Sequence, residues 1–455
     1  MNLKKEEVEV WHDIWPQTTC QIKKIFKSFS EIIPKEIKSD KKLNDTCFSR
    51  IRKLTVSNLF SIVLSLVGNN ATKGIASKSL DFLRLAGLQN LELGFDSIDK
   101  SAISRARRKL PWQVFHDTFY DAVKVANKFI PNNSSYTWNN LSVFGVDGSK
   151  YTLPASKELR EIFDPKSGLS NSKGHYPKCL VTTVYNLLTR VPIARSVAPN
   201  DSSERHRFLD LIDRIPNSNS LLIFDRGYPS YEMFKELTEK KKGYFLFRSS
   251  TSQTFMQVEE FIKKGEREGI IIIPPSIKYK NCCNIKLRII IDHTPEGEKL
   301  VFLTNLLDFT KFSADEIVKL YFKRWEIEVN YRNEKTSLNI ESFHSKNYNG
   351  IMQELYAISI LNIIARVVSA NTIEEKDILK KEPQFKNAVV TLAMNIAVFI
   401  SKKVNRALKT FKKLVIDISK VRYYKENKKD KSQPRVTKKS ISKWYINRKS
   451  KLGIS

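Results

Sequence analysis

Two short apolar runs, Leu141-Ser-Val-Phe-Gly-Val146 and Leu221-Leu-Ile-Phe224, each stop at an aspartate. Runs of four to six such residues are short for a buried helix and sufficient for a buried strand. Asp147-Gly148 follows the first run and Asp225-Arg226-Gly227-Tyr228 the second. Around them, 180–188 and 191–197 read as a strand pair, 204–215 and 231–240 as helices, and 244–247 as a further strand. Strands alternating with helices predict an α/β domain built on one sheet. Ligand sites in open sheets of this kind gather beyond the C-terminal strand ends, where both aspartates are expected. Taken singly, either aspartate reads more simply as a turn or capping residue.

The flanks have a different texture. Residues 1–130 read mainly helical. Ser101-Ala-Ile-Ser-Arg-Ala-Arg-Arg-Lys-Leu110 puts Ile103, Ala106 and Leu110 on one stripe, with Arg105, Arg108 and Lys109 on another side. Asp99 or Ser101 is the expected N-cap. The basic face is either a solvated surface or a DNA-contacting one. Residues 112–125 read as a further helix and the polar stretch 131–140 as a linker. Strand patterns at 270–273, 285–291 and 300–304 predict an all-β insertion over 249–308. Helical periodicity resumes over 313–338, and 353–369 and 386–401 are apolar helices. The five cysteines, Cys20, Cys47, Cys179, Cys282 and Cys283, fit neither a zinc site nor a disulfide framework. They point to a reducing cytosol, with Cys282-Cys283 expected in a strand. The N-terminus lacks the apolar core of a secretory signal. The longest apolar stretches are short, for example 59–67, which Ser61 and Ser65 interrupt, so no membrane-spanning helix is expected.

Charge narrows the class of partner. Lys and Arg number 78 against 48 Asp and Glu, a formal charge of +30, and 41% hydrophobic residues exclude whole-chain disorder. So basic a chain calls for a polyanion, most simply nucleic acid. Charge alone does not choose between DNA, RNA and an anionic membrane. The excess is uneven. Residues 1–140 carry 22 basic and 14 acidic side chains, 141–400 carry 37 and 31, and 401–455 carry 19 and 3. The basic tail, with Trp444 and Tyr445 among its lysines and arginines, reads as a sequence-tolerant DNA grip or as a solvated end.

The helix expected at 313–338 carries the sharpest pattern. Tyr321, Arg324, Glu328 and Lys335 are spaced Tyr-x2-Arg-x3-Glu-x6-Lys. At about 100° per residue they share a stripe roughly 60° wide. The alternative is a charge-laced surface helix, a role that suits Glu326, Arg332 and Glu334 better. If Glu328 joins Asp147 and Asp225, three carboxylates need cations or protons to stay together. Carboxylate-only ligands favour Mg²⁺ or Mn²⁺. Two such ions about 3.5–4 Å apart suit in-line phosphoryl displacement. Arg324 and Tyr321 beside the glutamate would hold phosphate oxygens, Arg324 with a bidentate fork.

Val-Asp-Gly-Ser at 146–149, Phe-Asp-Arg-Gly-Tyr at 224–228 and the Tyr-x2-Arg-x3-Glu-x6-Lys helix together resemble the bacterial insertion-sequence transposases. The group they are most similar to is the insertion-sequence-four group of DDE transposases. The resemblance covers about 140–350 and extends more weakly to 101–110 and the basic C-terminus. It implies an RNase H-like catalytic core over 141–350, interrupted by the β-rich insertion at 249–308. It also implies a helical DNA-binding region at 1–130 and a helical, basic C-terminal region at 351–455 for dimerisation or DNA binding. The implied activity is cleavage at the ends of an insertion sequence with two Mg²⁺ or Mn²⁺ ions. A hairpin intermediate and strand transfer into target DNA would follow. By the same resemblance, Asp147, Asp225 and Glu328 are the catalytic metal ligands, and Tyr321, Arg324 and Lys335 contact transposon-end phosphates. Trp325 stacks on an unpaired base or packs in the core. Arg226 meets phosphate or a carboxylate, and Arg105 and Arg108 contact DNA. His175 and His344 read more simply as structural or surface residues. The implied partners are double-stranded DNA and a second copy of the chain, without a membrane, in the cytoplasm. An RNase H-like nuclease without strand transfer is one alternative. A non-catalytic DNA-binding derivative is another, disfavoured by the intact set of three acids.

Overall fold

Strand β4 (Ser220–Phe224) has all five residues buried and lies in the middle of an eight-stranded sheet. Fully burying each of Leu221, Leu222, Ile223 and Phe224 contributes about 1.5–3 kcal/mol. The strands are β1 (Ser142–Thr152), β2 (Lys178–Asn186), β3 (Val191–Pro199), β4, β5 (Tyr244–Ser249), β6 (Glu268–Ile273), β7 (Ile285–His293) and β8 (Lys299–Thr304). Their order is β3-β2-β1-β4-β5-β8-β7-β6. β4 runs parallel to β1 and β5, whereas β5, β8, β7 and β6 pair antiparallel in turn. The fold is therefore mixed α/β, as the sequence predicts.

The computed structural model describes residues 20–41, 47–48, 53–68, 74–131, 133–216, 219–240, 243–252, 254–372 and 381–424. Of the basic tail at 401–455 read as a grip, residues 425–455, with Trp444 and Tyr445, lie outside these residues. Two compact units are present. One comprises Asn132–Lys150 and Leu180–Tyr331; the other joins the described parts of Met1–Pro131, Tyr151–Cys179 and Arg332–Ser455.

The first of these units holds most of the sheet. Glycine permits its tightest backbone approach: a Cβ on Gly243, which has φ +78°, would lie 2.4 Å from the Ser220 carbonyl oxygen. Helix α7 (Glu204–Leu209) follows β3, and α8 (Tyr231–Glu239) follows β4. α8 starts where Ser230 accepts a hydrogen bond from the Met233 amide. The stretch expected as one helix over 204–215 breaks after Leu209 and resumes as a 3₁₀ turn at Ile212–Arg214. The all-β reading of 249–308 is corrected on two counts. Helix α9 (Met256–Lys264) lies within it, where Val258 and Phe261 give a buried stripe. Its strands also extend the central sheet through the β5–β8 pair. Cys282 and Cys283 precede β7 in a loop rather than a strand, and Tyr231 Oη donates to the Cys283 carbonyl at 2.7 Å.

The second unit is helical: residues 20–32 as α1, then α2 (Val56–Gly68), α3 (Ile75–Leu88), α4 (Lys100–Lys109), α5 (Gln113–Phe129) and α6 (Lys157–Phe163). Its C-terminal part adds α12 (Tyr348–Ala370), α13 (Phe385–Met394) and α14 (Val404–Lys420), with a small ribbon of β9 (Lys381–Pro383) and β10 (Arg422–Tyr424). The terminal regions, read from sequence as separate, thus share one unit. The reason is α12, which is apolar nearly all round and must be covered on every side; α5, α2 and α13 pack on it. By length and composition α12 could cross a membrane, with a mean hydropathy of 1.5, but 94% of that window is buried within the protein.

Candidate active site

The register of β1 on β4 brings the aspartates together. Val146 pairs with Phe224, so Asp147 and Asp225 are the next residues on neighbouring parallel strands, whose spacing is about 4.8 Å. Asp147 lies inside β1 rather than past its end, because the strand runs on to Thr152. Asp225 begins the turn closed by the Tyr228 amide on its carbonyl at 3.1 Å.

The third acid arrives on a helix that changes pitch twice. Ser313 caps α10 (Ala314–Tyr321) by accepting from the Glu316 amide, and its hydroxyl meets the Glu316 carboxylate. The chain tightens to 3₁₀ at Phe322–Arg324, continues as α11 (Trp325–Arg332) and widens to a π turn at Asn333–Ser337. The uniform helix assumed for 313–338 is corrected accordingly. Tyr321, Arg324 and Glu328 remain together. Arg324 Nη2 donates to Glu328 at 2.8 Å and lies 3.8 Å from Asp225, and Tyr321 Oη donates to Asp225 at 3.2 Å. Lys335, carried by the π turn, belongs to the helical unit. Its ammonium sits over the Tyr151 ring at 4.6 Å, and burial holds its pKa below the usual lysine range. Glu334, assigned to the surface by spacing, is fully buried and accepts from Tyr151 Oη at 2.5 Å and from Asn362 at 3.2 Å. Glu326 keeps its surface role and pairs with Arg190 at 2.9 Å.

Charge is unevenly settled here. Burial pushes the Asp147 carboxyl up to about 7; Arg324 opposes the shift, and Glu204 and Glu328 add to it. For Arg324, burial disfavours the charge, but Asp225, Tyr321, Asp147 and Glu328 more than offset it, so its pKa lies above the ordinary value. The buried Nε of Arg324 has no hydrogen-bond partner among the described residues. Burial and the Asp225 charge push Tyr321 up to about 12, so it remains a donor.

The donor chemistry suits a hard divalent cation: carboxylate oxygens only, with the half-buried Asp147 lacking a full counter-charge. Among the described residues no three His, Cys, Asp or Glu side chains are gathered closely enough to hold an ion as they stand. Arg324 occupies Asp225 and Glu328 instead.

The other sequence candidates fall as follows. Trp325 is 42% exposed, which favours a surface platform over core packing. Arg226 is exposed in the turn after Asp225. Arg105 and Arg108 are exposed on α4, while Ile103 and Leu110 are buried and Asp99 is the N-cap. His175 pairs with Asp164 at 2.8 Å and His344 with Glu354 at 3.2 Å, both structural. Sequence reasoning missed Glu204 and Tyr228, whose side chains meet at 3.0 Å. An acid opening a helix reads as ordinary dipole compensation, so only the fold reveals Glu204 beside Asp147.

Residues 141–363 match the family described as the transposase DDE domain. The transposase InsG for insertion sequence element IS4 of Escherichia coli (strain K12) is 22% identical over 275 residues, 58% of this chain and 60% of that protein. A Synechocystis protein assigned as the transposase of insertion sequence element IS4SA is 22% identical over 284 residues, 62% of this chain and 75% of its own length. A piggyBac transposase synaptic complex with hairpin DNA, solved by cryo-EM, aligns with a TM-score of 0.41 and 11% identity over 88% of this chain and 83% of that one. The chain spans about 60% of the length of the E. coli relative.

Proposed function

Because the chain belongs to the DDE transposases of the insertion-sequence-four group, we propose that it cleaves DNA at the ends of an insertion sequence and transfers the freed ends into target DNA. The observation that carries this reading is Arg324 shared between Asp225 and Glu328, beside a half-buried Asp147 with a raised pKa. The order β3-β2-β1-β4-β5, with β1, β4 and β5 parallel, supports an RNase H-like core for 141–350. Its expected β-rich insertion corresponds to α9 and the strands β6 to β8.

This family uses divalent metal ions. In our reading Asp147, Asp225 and Glu328 would hold two Mg²⁺ or Mn²⁺ ions, which when bound supply Lewis acidity at the scissile phosphate and lower the pKa of water. The protein groups do the rest. Asp147 gives up its proton near neutral pH to become a ligand. Arg324 turns its fork from the carboxylates to a phosphate oxygen, a transfer that keeps its charge paired throughout. Tyr321 stays protonated and donates, so it is not a nucleophile. Trp325 offers an exposed ring for an unstacked base. Lys335, Arg226, Arg105 and Arg108 add phosphate contacts that position the duplex. Double-stranded DNA is the substrate, two copies of the chain join two ends, and the work is done in the cytoplasm.

Purified protein with Mg²⁺ should cut DNA carrying the element's own ends and yield integrated product. Cleavage without any joined product would identify a nuclease instead. Cleavage that survives Asp147→Ala, Asp225→Ala or Glu328→Ala would remove that acid from the assignment.

A further inference from the structure

Glu204 stands outside the three acids and touches the segments that carry two of them. Its carboxylate accepts from Tyr228 Oη at 3.0 Å, at the end of the turn that begins with Asp225. It also lies against the residue after Asp147: a Cβ built on Gly148 would come within 2.5 Å of the Glu204 carboxyl carbon. The neighbouring Arg205 Nε donates to the Gly227 carbonyl at 2.8 Å, so two successive residues of α7 grip the same turn. Tyr228 is buried, with 2% of its surface exposed, and its ring packs on Phe224 at 5.4 Å.

We propose that Glu204 is a positioning residue that, through Tyr228 on one side and the bare backbone of Gly148 on the other, fixes the spacing of Asp147 and Asp225 for cation binding. This rests on the metal-dependent reading above and adds a residue to it. The contact explains a glycine at 148, where any side chain would displace the carboxylate. It also explains a tyrosine at 228, whose hydroxyl finds its acceptor there. The charge of Glu204 has two opposed effects on cation uptake. It strengthens the field that draws a cation in, and it raises the proton affinity of Asp147. The geometric role is therefore separable from the charge. Partners that orient metal-holding groups typically change metal affinity 10–100-fold when removed.

The test is Mn²⁺ binding to the full-length protein by isothermal titration, with melting temperature followed in parallel. Glu204→Ala and Tyr228→Phe should each weaken Mn²⁺ about tenfold. The double variant should be no weaker than either single one, since both cut the same tie. Glu204→Gln keeps an acceptor for Tyr228 and should restore affinity to within about threefold. Gly148→Ala should reproduce Glu204→Ala. Unchanged affinity in Glu204→Ala, or additive losses in the double variant, overturns the tie. Wild-type protein that takes up no Mn²⁺, or Asp225→Ala that takes up as much as wild type, overturns the parent reading and this inference with it.

Discussion

Two arginine–glutamate pairs in this protein have the same 2.8 Å contact and opposite meanings. In the helical unit, Arg107 meets Glu354 with 5% and 1% of their side chains exposed. Both charges there are matched within the fold. The Glu354 carboxylate also takes the His344 amide at 3.0 Å and its ring nitrogen at 3.2 Å, while Arg107 donates to Gln353 and to the Gly350 carbonyl. Burial alone would raise the Glu354 pKa, yet Arg107 and His344 hold it at about 2. In the α/β unit, Arg324 is divided between Glu328 and Asp225, which are 31% and 40% exposed. Its Nε has no hydrogen-bond partner among the described residues, and Asp147 nearby is pushed up to about 7. The buried pair is matched within the fold, whereas the half-exposed one leaves charge unbalanced, as the proposed binding of a cation and a phosphate requires.

The largest effect should separate the two by readout. Asp225→Ala should reduce end cleavage by about a thousandfold or more while the melting temperature stays within a few degrees of wild type, because the charge removed was half in solvent. Glu354→Ala should do the reverse. It strands the Arg107 charge in a buried place, at a cost of about 3–5 kcal/mol. Denaturant titration of both variants, beside a cleavage assay, checks the contrast. Equal destabilisation by the two would erase it.

A second test uses pH. Asp147 in the metal-free fold keeps a proton up to about 7, whereas in the unfolded chain it loses that proton near the ordinary aspartate value. Between those values the folded form holds more protons, so this contribution is present at low pH and lost as pH rises to 7. Asp147→Asn should therefore match wild type at pH 4 and exceed it at pH 8 by on the order of 2 kcal/mol, allowing for solvent access to the acid. Glu354 has the opposite sign. Its depressed pKa stabilises the fold above its ordinary value, and that support is lost as pH falls toward 2. Melting curves from pH 2 to 8 for wild type and Asp147→Asn measure both slopes. Saturating Mn²⁺ should close the gap at pH 8.

The sequence was most readable where one periodicity ruled over a whole element. β4 and the Asp225 turn follow from four apolar residues and a break. The α4 face follows from Ile103 and Leu110 opposite Arg105 and Arg108. It was least readable where the backbone changed pitch. Three residues of 3₁₀ and five of π helix move Lys335 and Glu334 off the positions that 100° per residue assigns them. Tyr321, Arg324 and Glu328 escape this error because they lie within about two turns of one another. Long-range partners leave no local trace. Glu204 meets Tyr228 across 24 residues and Arg107 meets Glu354 across 247, and in neither case does the local pattern mark the residue. Arg107 sits in the same basic run as Arg105 and Arg108, but its side chain points to the interior and theirs to solvent.

That last distinction supplies the smallest prediction, on a single helix. Arg105 and Arg108 are exposed and unneeded for packing, so each alanine substitution should change stability by no more than about 0.5 kcal/mol. If they meet DNA phosphates, each loss should lower the salt dependence of binding, log Kd against log salt, by about 0.9 and weaken binding alike for all sequences. Arg107→Ala should leave the slope alone and destabilise the fold, because Gln353, Glu354 and Gly350 lose their shared donor. Fluorescence anisotropy with a labelled duplex at several salt concentrations measures the slope. A flat response from both exposed arginines would return the α4 face to plain solvent and leave the DNA grip to other basic surfaces of the chain.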